Sequence, residues 1–297
     1  MSITINDLEL RYLLSDALTE ESIKETLFSM VLINHITLKV MKVNYRFLII
    51  FILLGTISLM ATAEIPKVIA HRGFWRTEGS AQNSIRALIK ADSIGCYASE
   101  LDVWISADSV LIVNHDADIN GITIETSQSK DILTQKLQNG ENVPTFESYL
   151  AEAAKLSIRL VCEIKTHNNR SLEKCAIEKI LESVDKYNLN DKVDYITFSK
   201  DSFKNFINLS PPSTNVYYLE GDYIPDQVLF EGGRGIDYQL GILKKYPEWI
   251  EESHKLGLLV NVWTVDSVED MEWCISQGVD FITTNEPEKL QNLIKEY

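Results

Sequence analysis

The stretch Arg159-Leu160-Val161-Cys162-Glu163-Ile164-Lys165, followed by a helical-looking run over 171–187 and then by Asp194-Tyr195-Ile196-Thr197-Phe198, decides the fold. Its two ends are short, apolar and rich in β-branched residues, whereas the middle is long and amphipathic. Strand, helix, strand is the unit that builds a parallel sheet, because parallel strands need a long crossover. The same alternation extends outward. Predicted strands lie at 67–70, 97–104, 111–115, 215–219, 235–238, 258–263 and 280–284, and predicted helices at 80–94, 145–154, 244–255 and 267–277. Repeated over about 230 residues, this pattern predicts an α/β fold, a (β/α)8 TIM barrel. Nine strands compete for eight places. Only residues 105–110 separate the second strand from the third, whereas a parallel crossover takes about a dozen residues. Those two therefore form a hairpin, with Ser106-Ala107-Asp108-Ser109 as its turn. The polar stretch 116–142 is then a small insertion after the second barrel strand, close to His115, and long excursions of this kind shape or cover sites.

Of the 297 residues, 45% are hydrophobic and 24% charged, which excludes disorder, collagen-like repeats and a polytopic membrane protein. With 28 Lys and Arg against 43 Asp and Glu, the net charge is -15. No general attraction to nucleic acid or anionic lipid follows, so an anionic ligand must be held by local cations.

Residues 41–46 carry Lys42 and Arg46, residues 47–60 are uncharged and mostly apolar, and Ala61-Thr62-Ala63 follows. This is the pattern of a secretory signal peptide, and the apolar run is shorter than the ~20 residues of a membrane span. Residues 1–40 are accordingly read as an over-extended start without assigned function, 41–63 as the signal peptide and 64–297 as the barrel domain. The expected location is periplasmic or secreted, with no stable membrane anchor after cleavage. Cys96, Cys162, Cys175 and Cys274 form no C-x-x-C pair, so neither a zinc ribbon nor a thioredoxin site is readable, and their pairing stays open.

Glu100 and Asp102 stand at i and i+2 on one strand, so both carboxylates project to one face while Leu101 and Val103 face the helices. Two carboxylates turned into a barrel cannot both stay ionised without a cation or a shared proton. Glu163 adds a third acid within an apolar strand. Its plain alternative is an ion pair with Lys165. Three carboxylates without Cys or His ligand spacing favour a hard divalent cation, Mg²⁺ or Ca²⁺, over zinc. His71-Arg72-Gly73 and His115-Asp116 each follow an apolar strand, at the end where barrel enzymes carry their sites. Two such histidines beside a carboxylate cluster suit general acid–base work, with neither assigned as acid or base. His167, two residues past Lys165, is placed at the rim, and His254 is given no role.

Taken in order, His71-Arg72, Glu100-Leu101-Asp102, His115-Asp116 and Glu163-Ile164-Lys165 resemble the HR…ExD…HD…ExK signature of the glycerophosphodiester phosphodiesterase family. Val143-Pro144-Thr145-Phe146-Glu147, Thr197-Phe198-Ser199, Val262-Trp263-Thr264-Val265 and the run from Gly278 to Pro287 are similar to later segments of that family. The resemblance implies a barrel in which Glu100, Asp102 and Glu163 bind one divalent cation, His71 and His115 serve as acid and base, and Arg72 and Lys165 hold the phosphate. It also implies that Trp263 packs on glycerol, and Asn83 and Asp116 are placed behind these groups. The implied partner is a small-molecule glycerophosphodiester, cleaved to an alcohol and glycerol 3-phosphate. Two alternatives stand beside it: a phospholipase-type barrel acting on intact lipid, and a catalytically silent barrel that binds a phosphate or sugar. The chain departs from the family in Ala81-Gln82-Asn83-Ser84, where Pro-Glu-Asn-Thr is usual, and in Thr284-Asn285, where Thr-Asp is usual.

Overall fold

The computed structural model describes residues 65–297 without a break and a few helical positions between 24 and 32. The chain divides into two units, Met1–Thr62 and Ala63–Tyr297. The signal peptide expected at 41–63 and nearly all of 1–40 lie outside the described residues. The barrel belongs to the second unit.

In chain order the elements of that unit are β1 (Lys67–Ala70), α1 (Ile85–Ser93), β2 (Ala98–Ile105), β3 (Leu111–Val113), β4 (Asp118–Ile119), β5 (Ile122–Thr123), α2 (Ser129–Ile132), α3 (Phe146–Ala153) and β6 (Arg159–Ile164). There follow α4 (Arg170–Lys186), β7 (Val193–Thr197), α5 (Lys200–Leu209), β8 (Val216–Tyr218), α6 (Pro225–Glu231), β9 (Gly235–Gln239), α7 (Leu240–Lys245), α8 (Glu248–Lys255), β10 (Leu259–Trp263), α9 (Val268–Gln277), β11 (Phe281–Thr284) and α10 (Pro287–Ile294). Parallel pairing runs β1–β2–β6–β7–β8–β9–β10–β11 and returns to β1, closing an eight-stranded barrel. β3 stands outside the ring as the antiparallel partner of β2, with Val103 opposite Val113 and Ile105 opposite Leu111. No helix among the described residues is long and apolar enough to cross a membrane.

Alternation along each strand divides the apolar residues between two cores. Leu101, Val103, Cys162, Ile164, Val262 and Ile282 face outward and pack with Leu88, Phe146, Ile177, Phe203 and Met271. Ile69, Ala98, Val161, Ile196, Tyr217 and Phe281 fill the barrel interior. Glu100 and Asp102 continue the inward face of Ala98, and Glu163 continues that of Val161. Because all eight strands are parallel, these faces open at one mouth.

Two helices differ from the predicted bounds for local reasons. α1 starts later than residue 80 because Asn83 takes a left-handed φ of 59° and Ser84 caps the helix, its Oγ accepting from the Ala87 N–H at 3.0 Å. The helix predicted over 244–255 is broken by Pro247, which ends α7 and precedes α8. The insertion builds a small core of its own, where Ile119, Ile124 and Ile132 pack with Trp104 and Ile112.

Candidate active site

The three acids meet at the barrel mouth. Asp102 lies beside Glu163 in the β2–β6 register, and Glu100 stands one inward position before Asp102. Exposure is 3% for Glu100, 1% for Asp102 and 8% for Glu163, and one carboxylate oxygen of each lies within 4.8 Å of the others. Asp102 is the best supported. Asn83 Nδ2 donates to its Oδ2 at 2.8 Å, Lys165 Nζ is 3.2 Å from Oδ1, and Arg72 Nε is 3.6 Å from Oδ2. Burial pushes the Asp102 carboxyl up, but Lys165, His115 and Arg72 outweigh it and hold the group below its ordinary range. Burial, with the neighbouring carboxylates, pushes Glu100 well up and Glu163 up to about 8. Glu100 Oε2 accepts from the Arg72 N–H at 2.7 Å, while its buried Oε1 has no hydrogen-bond partner.

This donor set fits a hard cation. Among the described residues, three convergent carboxylates face two nearby fixed positive charges, Arg72 and Lys165, and a buried carboxylate oxygen without a donor is what an oxygen-seeking ion would take up. Without added positive charge, Glu100 and Glu163 are driven toward their neutral forms, whereas a divalent ion reverses that preference.

His71 is held by groups from the far end of the chain. Its Nδ1 is 3.0 Å from Asn285 Oδ1, and the same oxygen accepts from Trp75 Nε1 at 2.9 Å. Indole nitrogen only donates, so the atom it meets on Asn285 is the amide oxygen, and the His71 nitrogen facing that oxygen carries the hydrogen. Asn285 Nδ2 in turn donates to Asp266 Oδ2 at 2.9 Å, and the Asn285 N–H to Oδ1 at 2.9 Å. Neutral His71 is thereby fixed with a bare Nε2, which lies 4.0 Å from Glu100 Oε2. Burial, helped by Arg72, lowers its pKa to about 4. Arg72 has a left-handed φ of 58° and is braced by Gln82, whose Oε1 accepts from its guanidinium at 2.6 Å.

His115 sits across the mouth, with Nδ1 2.7 Å from Asp116 Oδ1, and its carbonyl accepts from Trp104 Nε1 at 3.2 Å. Burial lowers its pKa, aided by Lys165 and Arg72 and opposed by Asp102 and Asp116. Lys165 bridges Asp102 and Glu163, at 2.8 Å from Glu163 Oε1, and these anions raise its pKa despite burial. The predicted Glu163–Lys165 pair thus exists, within a larger cluster. Trp263 closes one side of the cavity: its Nε1 donates to the Asp237 carbonyl at 2.9 Å and its ring meets Phe198 edge-on at 5.6 Å.

One cavity of about 200 Å³ is lined by His71, Arg72, Glu100, His115, Glu163, Lys165 and Trp263, and also by Asp237. Asn83 and Asp116 line a neighbouring groove together with His115. His167 is not at the rim. It is buried, its Nδ1 bonded to the Lys165 carbonyl at 2.7 Å and its Nε2 accepting from the Ile105 N–H at 3.1 Å, so it ties the end of β6 to that of β2. Sequence reasoning missed Trp75, Asp266 and the anchoring part of Asn285. The Thr284-Asn285 departure from the family pattern was the only signal for them. All four cysteines are free.

Comparison with known proteins agrees with this geometry. The profile of the Glycerophosphoryl diester phosphodiesterase family matches residues 71–289. A glycerophosphodiester phosphodiesterase of Caldanaerobacter subterraneus subsp. tengcongensis is 28% identical over 243 residues, spanning 77% of this chain and 97% of the relative. The crystal structure of a glycerophosphodiester phosphodiesterase from Parabacteroides distasonis is 44% identical with a TM-score of 0.77, covering 78% of this chain and 98% of that one. A phosphodiesterase from Oleispira antarctica, solved in complex with the product sn-glycerol-3-phosphate, shares the fold at a TM-score of 0.66 and 19% identity, over 78% of this chain and 97% of its own.

Proposed function

The chain belongs to the glycerophosphoryl diester phosphodiesterase family, and from that premise we propose how its own residues hydrolyse glycerophosphodiesters to an alcohol and glycerol 3-phosphate. Glu100, Asp102 and Glu163 would hold one divalent cation, Mg²⁺ or Ca²⁺. Bound there, it supplies electrostatic stabilisation to the oxygens of the phosphoryl group. Arg72 and Lys165 neutralise the same group within a net-acidic protein. His71, held through Nδ1, offers Nε2 to take the proton of the attacking hydroxyl or water. His115 gives a proton to the departing alcohol, since the Asp116 carboxylate on Nδ1 favours the imidazolium that can donate from Nε2. Trp263 and Phe198 offer an apolar wall to the C–H face of glycerol.

The observation that carries this reading is the meeting of three buried carboxylates with Arg72, Lys165 and two histidines around one cavity. Its test is turnover of glycerophosphocholine, glycerophosphoethanolamine, glycerophosphoglycerol and glycerophosphoinositol by the barrel domain, with and without chelator. Chelator-sensitive release of glycerol 3-phosphate is expected. Binding without turnover would leave a silent barrel, and full activity after exhaustive chelation would remove the cation.

We also propose export to the periplasm or beyond, on the strength of the basic, apolar and Ala-Thr-Ala pattern of residues 41–63. N-terminal sequencing of the exported protein is expected to begin at Glu64. Residues 1–40 on the exported chain would refute this.

A further inference from the structure

Asp237 is an acidic residue of the active-site cavity that the proposed mechanism does not use. It is 2% exposed, its Oδ1 has no hydrogen-bond partner, and it lines both the catalytic cavity and a small void beneath it. Burial raises its carboxyl to about 7 against the opposing influence of the neighbouring Asn261 amide, as expected of an acid with one oxygen left without a donor. A buried acceptor left open costs on the order of 1–3 kcal/mol, so its retention in a cavity calls for a donor supplied from outside the fold.

Its place in the ring indicates which donor. In the cyclic order β1–β2–β6–β7–β8–β9–β10–β11, β9 lies four strands from β2 in either direction, so Asp237 faces Glu100 and Asp102 from across the barrel. In the proposed mechanism Arg72 and Lys165 hold the phosphoryl group beside the three acids, on the β1, β2 and β6 side. The rest of the cavity runs past Ile196, Phe198, Leu219 and Trp263, where the remaining lining groups are Asp237, Thr264 and Thr283. Thr283 is already engaged, since its Oγ1 accepts from Asn261 Nδ2 at 2.9 Å and donates to Asn261 Oδ1 at 3.2 Å. A glycerol unit extending from phosphorus along this wall ends in a hydroxyl, a donor with no other anionic acceptor in its path.

We propose that Asp237 is a specificity-determining residue whose Oδ1 accepts a hydrogen bond from the terminal hydroxyl of the glycerol unit, so that the enzyme selects glycerol esters over esters of simpler diols. The proposal rests on the glycerophosphodiesterase reading and adds to it the group that recognises glycerol.

The test compares glycerophosphocholine with 2-hydroxypropyl phosphocholine, which lacks only the terminal hydroxyl. The analogue keeps the 2-hydroxyl, so attack through a cyclic phosphate stays open to both. Loss of a hydrogen bond to a charged acceptor corresponds to roughly 10- to 100-fold, so at a pH above about 7, where Asp237 is a carboxylate, the wild-type kcat/KM should favour glycerophosphocholine by that factor. Asp237→Leu, which keeps bulk in a cavity also lined by Ile196 and Leu219, and Asp237→Ala should each bring the ratio close to one. The same preference is expected in wild-type inhibition by glycerol 3-phosphate over 2-hydroxypropyl phosphate, a measurement that needs no variant to fold. Absence of preference in the wild type, or its survival in a folded Asp237→Leu or Asp237→Ala variant, would overturn the proposal and assign Asp237 to the packing of the void beneath the cavity. A wild-type enzyme that cleaves neither ester would instead overturn the glycerophosphodiesterase reading itself.

Discussion

Gly73 follows the His71-Arg72 pair, and replacing it with Ala perturbs fold and site together. Its φ is +77°, and a Cβ there would lie 2.6 Å from Ala87 Cβ and 2.8 Å from the Ala87 carbonyl carbon, inside α1. Left-handed backbone costs an L-residue about 1–2 kcal/mol, and forcing a methyl group into a packed contact costs about 1–3 kcal/mol. Gly73→Ala should therefore lose about 2–5 kcal/mol, a large part of a typical domain's ~5–15 kcal/mol. Gly95→Ala isolates the packing part, because Gly95 has φ +73° and nothing within 4 Å of its missing Cβ. It should cost only the backbone share, and the unfolded-state effect of Gly→Ala is common to both variants. Relief at Gly73 requires the turn and α1 to separate. Asn83, just before α1, receives the strain because its N–H donates to the Arg72 carbonyl at 3.0 Å and its side chain holds Asp102. An ångström-scale shift of such a positioning group costs roughly 100-fold in rate. Urea unfolding followed by circular dichroism, with glycerophosphocholine turnover at a temperature where both variants are folded, measures the two effects. Equal destabilisation by the two substitutions, to within about 0.5 kcal/mol, would refute the packing argument.

Glu100→Gln, Asp102→Asn and Glu163→Gln should each lower divalent-cation affinity by calorimetry and turnover in parallel, and unchanged affinity would free that acid of a ligand role. Trp263→Ala should weaken glycerophosphodiesters more than bis(p-nitrophenyl) phosphate, which has no glycerol; equal losses would point to a structural Trp263. Both His71→Ala and His115→Ala should lose ~10²–10⁴-fold on glycerophosphocholine, and only His115→Ala should recover on a p-nitrophenyl ester, whose leaving group needs no proton. Recovery of His71→Ala instead would exchange the two roles. The Asp108 carboxyl is lowered to about 2 by the Ser106 and Ser129 hydroxyls and the Ser129 N–H. A depressed folded value stabilises above the ordinary carboxylate range and is lost as pH falls through about 2. The stability gap between wild type and Asp108→Asn should therefore be full at pH ~6 and shrink from pH ~4 downward, and a gap independent of pH would show that the carboxylate does not pin the insertion.

Much of the barrel was legible because its signals are local. Alternation within 97–104 and 159–165 separates inward from outward residues, and the six-residue gap before Leu111 leaves room only for an antiparallel return, as β3 shows. The same period places Glu100, Asp102 and Glu163 on inward faces, so the acidic cluster follows from strand geometry and parallel order alone. What escaped depends on groups far apart in sequence. His167 looked like a rim residue because it follows Lys165, yet its ring is claimed by the Ile105 N–H from another strand. Asn285 stands in the sequence only as a departure from the usual Thr-Asp, yet its amide has two jobs that a carboxylate could not combine: Oδ1 accepts from Trp75 and His71, while Nδ2 donates to Asp266. An Asp at 285 would set two carboxylates against each other at that contact and would favour charged His71. The amide at 285 is thus matched to Asp266, and together the pair orients His71, which burial keeps neutral, with Nε2 bare.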